Sequence, residues 1–145
     1  MRYLWIALLA SLLSACNYDF VPTPVPEEIS EVTYQVSNGS GSKEWTIKNN
    51  DLSVKLVNKA ANGATLSSQT TKTVPNSYNW LVTGLENANF TKVTSTAEQG
   101  RPSGAETLTV VTQAETYTYT QNTQTKFPPG FDKVVMGIPV VFKAN

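Results

Sequence analysis

The chain has 145 residues, with 11 basic and 11 acidic side chains, no histidine and one cysteine. That inventory excludes a Ser-His-Asp or Cys-His nucleophile, an imidazole or multi-thiolate zinc site and an internal disulfide. The charges are balanced and no run of lysine or arginine forms a patch, which sets aside nucleic acid and anionic headgroups as partners.

Residues 1–15 place Arg2 ahead of an apolar stretch that continues to Leu13. A short positive region before an apolar core reads as a secretory signal peptide, and the stretch falls short of the about 20 residues a membrane-spanning helix needs. Leu13-Ser14-Ala15-Cys16 resembles the lipobox of bacterial lipoprotein precursors at every motif position. The resemblance implies cleavage before Cys16, a diacylglycerol on its thiol and a further acyl chain on its freed amine. The expected product is a cell-envelope lipoprotein held on a membrane through Cys16. Each buried CH₂ contributes about 0.8 kcal/mol, and more than one chain is needed for stable anchoring. In the family's sorting logic an aspartate after the cysteine retains the product at the inner membrane. Asn17 occupies that position here, which points to the outer membrane and leaves the leaflet open.

Residues 16–31 form the acylated N-terminus and a proline-rich tether, with Pro22, Pro24 and Pro26 at alternate positions. Proline fixes φ and disfavours helix at the preceding residue, so this stretch is expected to be extended, rising about 3.1 Å per residue. It reads as a spacer, with a ligand for a proline-binding domain as the alternative.

Residues 32–145 are rich in threonine alternating with apolar or aromatic residues, the pattern of half-buried strands. Val32, Tyr34 and Val36 share one strand face, Trp45 and Ile47 another, and the glycine-containing loop between them predicts a hairpin. Ser40-Gly41-Ser42-Lys43 has the S-x-x-K spacing of serine β-lactamases, but its glycine-rich setting reads as this turn. Leu52, Val54 and Leu56 predict the next strand, and the polar run from Ala64 to Val74 an edge strand or long loop. Trp80 and Val82, then "NFTKVTST", then Leu108 and Val110, and then Tyr117 and Tyr119 suggest further strands. "KVVMGIPVVFK" reads as a strand buried on both faces, with Gly137 and Pro139 at a bulge or edge.

Seven or eight such strands predict an all-β domain, a two-sheet antiparallel β-sandwich. The stretch "YNWLVTGLENANFTKVTSTAEQGRPSG" resembles the later strands of a fibronectin type III module. That resemblance implies a sandwich of immunoglobulin-like type.

Trp45 and Trp80 are expected in the core. Tyr117 and Tyr119, flanked by polar residues, form either a recognition pair that stacks on a sugar or a cross-strand ladder. Phe127 and Phe131 bracket Pro128, Pro129 and Gly130, either as a displayed contact loop or as a satellite core. No catalytic residue, metal ligand or cofactor is assigned. The expected function is non-enzymatic binding of a protein or glycan partner, or service as a subunit of an envelope complex, with sheet-edge strand addition as one mode of contact. The alternatives are a small glycan hydrolase using paired carboxylates and a protease inhibitor presenting the Phe127–Phe131 loop.

Overall fold

The structure, a computed structural model, describes residues 28–94 and 104–143; the signal sequence, Cys16, most of the tether and the loop around Arg101 lie outside them. Six strands run in one antiparallel sheet: β1 (Ile29–Asn38), β2 (Gly41–Lys48), β3 (Ser53–Ala60), β4 (Thr65–Lys72), β5 (Glu106–Thr112) and β6 (Thr116–Gln121). Their order is β4-β3-β2-β1-β5-β6. Two helices, α1 (Pro75–Asn87) and α2 (Phe131–Val141), and a 3₁₀ turn at Phe90–Lys92 complete the described residues.

The β-rich antiparallel class expected from the threonine alternation is what the chain builds. Its second layer is helical: all six strands lie in a single sheet, and α1 and α2 cover one face where a second sheet was expected. β1 also begins at Ile29, three residues before the predicted boundary, because Ile29 is itself a buried anchor on the covered face.

The two helices occupy segments that alternation had predicted as strands. α1 buries Tyr78, Leu81 and Leu85, spaced i, i+3, i+7, and Pro75 sits at its start, where a missing N–H costs nothing. Trp80, expected inside a strand, therefore lies on an outer flank of this helix and is partly exposed. α2 buries Phe131, Val134, Val135 and Ile138, again one helical stripe, and Phe142 follows it into the core. Only one side of this segment is buried, since Met136 and Val140 face solvent. "NFTKVTST" yields the 3₁₀ turn up to Lys92, so the fibronectin-like stretch is helical over most of its described length.

The covered face gathers Val32, Tyr34, Trp45, Ile47, Leu108 and Val110 with the helix residues into one cluster. Aromatic side chains tie the layers together. The Tyr78 hydroxyl donates to the Ile29 carbonyl at 2.6 Å, the Phe90 and Tyr117 rings meet edge to face at 5.2 Å, and Tyr119 and Phe131 pack at 4.7 Å. The uncovered face carries Glu31, Thr33, Thr46, Lys48, Lys55 and Thr109 around Val57 and Val111, a mostly polar surface that does not suit a second packed sheet.

The β1–β2 hairpin turns through Gly39 and Ser40, and the Asn38 side chain accepts from the N–H groups of Ser40 and Gly41. Gly41 has φ of +151°, and a Cβ there would lie 2.0 Å from the Lys59 carbonyl oxygen across the β2–β3 ladder. Any side chain must push the strands apart at that point.

Two stability measurements check this account. Gly41→Ala should destabilise the domain by about 1–3 kcal/mol in urea unfolding, through backbone strain and the lost close approach. Phe131→Ala should cost about 3–5 kcal/mol, whereas Met136→Ala should stay within about 0.5 kcal/mol. Equal losses at both positions would contradict a one-sided helix.

Candidate interaction surface

The residues singled out as contact candidates are largely interior. Tyr117, Tyr119, Phe127 and Phe131 are buried, and only Pro129 of the Pro-Pro tip is fully exposed while Pro128 is half-buried. The alternation that puts Thr116, Thr118 and Thr120 on the open side of β6 necessarily turns both tyrosines toward the helices. The Tyr119 hydroxyl donates to the Phe90 carbonyl, and burial pushes the tyrosine pKa up to about 12. The Phe127 N–H donates to the Gln121 side chain at 3.2 Å, folding the loop back onto β6. The structure thus brings the four aromatic residues into one core and denies them the exposure that stacking on a sugar or display to a protease requires.

Trp45 is buried as expected, stacked on Tyr34 at 5.8 Å with the Lys43 ammonium 5.0 Å above its ring. The Tyr34 hydroxyl donates to Glu106 at 2.8 Å; burial, and then the adjacent carboxylate, hold its pKa well above the ordinary tyrosine range. Ser40 and Lys43 belong to the hairpin and show no nucleophile arrangement.

On the open face, Glu31, Glu44 and Asp51 line a shallow depression, and each is paired with a lysine: Lys48 at 3.4 Å, Lys59 at 3.5 Å and Lys72 at 3.1 Å. Among the described residues no group of three or more acidic, histidine or cysteine side chains is placed to hold a metal ion. Asp51 also accepts from the Ser53 N–H, and hydrogen bonds to Ser53 and Lys72 hold its carboxyl down at about 2. A glycosidase acid needs the opposite shift.

The strand that sequence reasoning left ambiguous is the most accessible element. Among the described residues β4 pairs only with β3, and every residue from Thr65 to Thr70 is exposed. It is held by the backbone ladder to β3, by the Asn58–Ser67 side-chain bond at 2.6 Å and by the pairing of Lys72 with Asp51 in the turn before β3. Thr73 donates to the Leu52 carbonyl, and inward-bonded residues alternate along an antiparallel ladder. The peptide groups of Ser68, Thr70 and Lys72 accordingly point away from β3, toward solvent. Natural edges are usually blunted by proline, bulges or central charges. Between Ser67 and Thr71 this one has no proline and no charge, and its register shift is confined to the end near Leu66. Leu66 itself projects into solvent beside the groove formed by Lys43, Trp45 and Asn58.

The Asp51 clasp that fixes the end of β4 titrates in acid. Because its folded value lies below the ordinary 3.8, its stabilisation is present above that pH and is lost as pH falls through about 2. The Asp51 carboxyl resonance should titrate near 2, and Asp51→Asn should flatten the acid limb of the unfolding curve between about pH 4 and pH 2. Salt should weaken the effect, since the pair is exposed. Compared with known proteins, the chain matches no family model and no curated protein.

Proposed function

We propose that this protein is a cell-envelope lipoprotein, acylated at Cys16 and directed to the outer membrane, whose domain binds a partner protein by strand addition to β4. The lipobox Leu13-Ser14-Ala15-Cys16 supports the anchor, and Asn17 supports the address. The observation that carries the binding half is β4, an edge strand with exposed faces, unpaired outward peptide groups and no blunting device along its centre. An extended segment of a partner can continue the ladder there, taking specificity from Leu66 and the adjacent Trp45–Lys43 groove.

The chemistry on the open face supports binding over hydrolysis, because each acid of the depression is matched by a lysine and Asp51 is held ionised. The inhibitor reading loses support with the burial of Phe127 and Phe131.

The test uses the outward geometry of the edge. Proline at Thr70 removes an N–H that faces solvent and leaves the β3 ladder its bonds, whereas proline at Gln69 breaks the ladder. A photo-crosslinker at Leu66 in the full chain, expressed in a Gram-negative host, should trap a partner. Thr70→Pro should abolish that crosslink with the circular dichroism unchanged. A persistent crosslink in Thr70→Pro would refute strand addition, and an unchanged membrane fraction for Cys16→Ser would refute the anchor.

A further inference from the structure

The outward face of the helix layer carries an apolar surface that neither the core nor β4 uses. On α2, Lys133, Met136 and Val140 follow one another at i, i+3, i+7, with Met136 73% and Val140 63% exposed. Trp80 of α1 lies across Gly137 of α2, so close that a Cβ at Gly137 would sit 2.2 Å from the indole ring. The glycine makes room for the outer edge of the ring, which is 39% exposed next to the groove formed by Gly84, Asn87 and Lys133. At 100° per residue, Asn76, Asn79 and Thr83 share the outward side of α1, while Glu86 and Asp132 fall on the rims turned away from the other helix. The face is therefore tryptophan, methionine and valine with one lysine along α2 and the seam, bordered by asparagine and threonine on α1, with acids only at its rims.

Where the chain enters the domain indicates what covers this face. The Ile29 carbonyl, one residue after the first described position, accepts from Tyr78 in the first turns of α1. The tether thus joins the domain beside the start of the helix that carries Trp80. Glu28 is only twelve positions after Cys16, a reach of at most about 37 Å at 3.1 Å per residue. A domain tethered that closely meets its own bilayer at an effective concentration in the millimolar range, so a modest patch suffices to dock. Tryptophan suits the headgroup boundary, and a lysine beside apolar residues can rest its stem on them with its ammonium in water.

We infer that the Trp80–Met136–Val140 face lies against the surface of the membrane to which Cys16 is anchored. This inference rests on the acylation proposed above. Docking is apolar, so it needs no anionic lipid and survives high salt.

The experiment reads Trp80 in the full acylated chain reconstituted into phosphatidylethanolamine–phosphatidylcholine vesicles, with mass spectrometry reporting the acyl groups at Cys16. Trp80→Phe supplies the emission of the buried Trp45 for subtraction. The Trp80 emission should shift to the blue, lose most of its intensity to lipids brominated on their acyl chains, and resist aqueous acrylamide. Met136→Asp with Val140→Asp should reverse all three, with near-ultraviolet circular dichroism as the check on folding; Met136→Ser is the milder variant. An acylated chain whose Trp80 is quenched by acrylamide and not by brominated lipid overturns the docking and leaves the anchor standing. Concentration-dependent acrylamide protection without lipid quenching means that a second copy covers the face, which also overturns it. A chain without the acyl mass overturns both readings.

Discussion

The width of the sheet against the width of two helices is the constraint from which the remaining surfaces follow. Six strands at about 4.8 Å spacing span about 24 Å between outer axes, while two packed helices, each about 10 Å across, cover about 20 Å. The helices sit over the β1, β5 and β6 side, through Tyr78 on Ile29, Phe90 on Tyr117 and Phe131 on Tyr119. Coverage fades across β3, where Val54 and Leu56 are the last residues buried on the helix side while Val57 is buried on the opposite face, and ends before β4. Apart from Leu66, β4 is polar on both faces because neither face has an apolar layer to meet. Its composition is the direct consequence of lying outside the helical footprint.

The same constraint explains which parts of the fold were legible in the sequence. Val32/Tyr34, Trp45/Ile47, Val54/Leu56, Leu108/Val110 and Tyr117/Tyr119 alternate because each pair faces the helices and its neighbours lie on the opposite face of the sheet, and a period of two reports that directly. The helices were hidden by their own side chains. "KVVMGIPVVFK" is dense in β-branched residues, and its glycine and proline mimic strand punctuation, yet Phe131, Val134, Val135, Ile138 and Phe142 keep the helical period. In α1, Trp80 and Val82 alternate by accident, while Tyr78, Leu81 and Leu85 after Pro75 carry the true signal. Tertiary contact with the sheet decides both cases, because burial of a complete helical stripe outweighs intrinsic preferences of a few tenths of a kcal/mol per residue.

The contact candidates were displaced for a related reason. Polar neighbours in sequence made Tyr117 and Tyr119 look solvated, but in a strand the neighbours in sequence lie on the opposite face, so flanking threonines are evidence for burial of the tyrosines. Phe127 and Phe131 flank a rigid tip whose geometry folds them inward: Gly130, at φ +94°, starts α2 and sends the Phe131 ring onto Tyr119. The surfaces that do remain open, the edge of β4 and the outer side of the helices, carry no motif. An edge is defined by the absence of a neighbouring strand, and the Trp80 platform by a glycine 57 positions away in the chain. Neither property is local in sequence.

The two surfaces are also compatible in use. In a two-layer fold the outer side of the helices faces along the normal to the layers, whereas the edge of β4 faces within the plane of the sheet. A helix layer resting on the bilayer turns the β4 edge sideways, parallel to the membrane, where an extended segment of a neighbouring envelope protein can reach it without displacing lipid. The polar face with its lysine-paired acids then points away from the membrane into water, the environment its composition suits. Docking would restrict the domain to rotation about the membrane normal, and a partner held on the same membrane would meet a presented edge in place of one that tumbles on a tether. On the two proposals above, that reduction in orientational freedom would lower the entropic cost of strand addition, and the apolar face would favour partner binding without touching the partner.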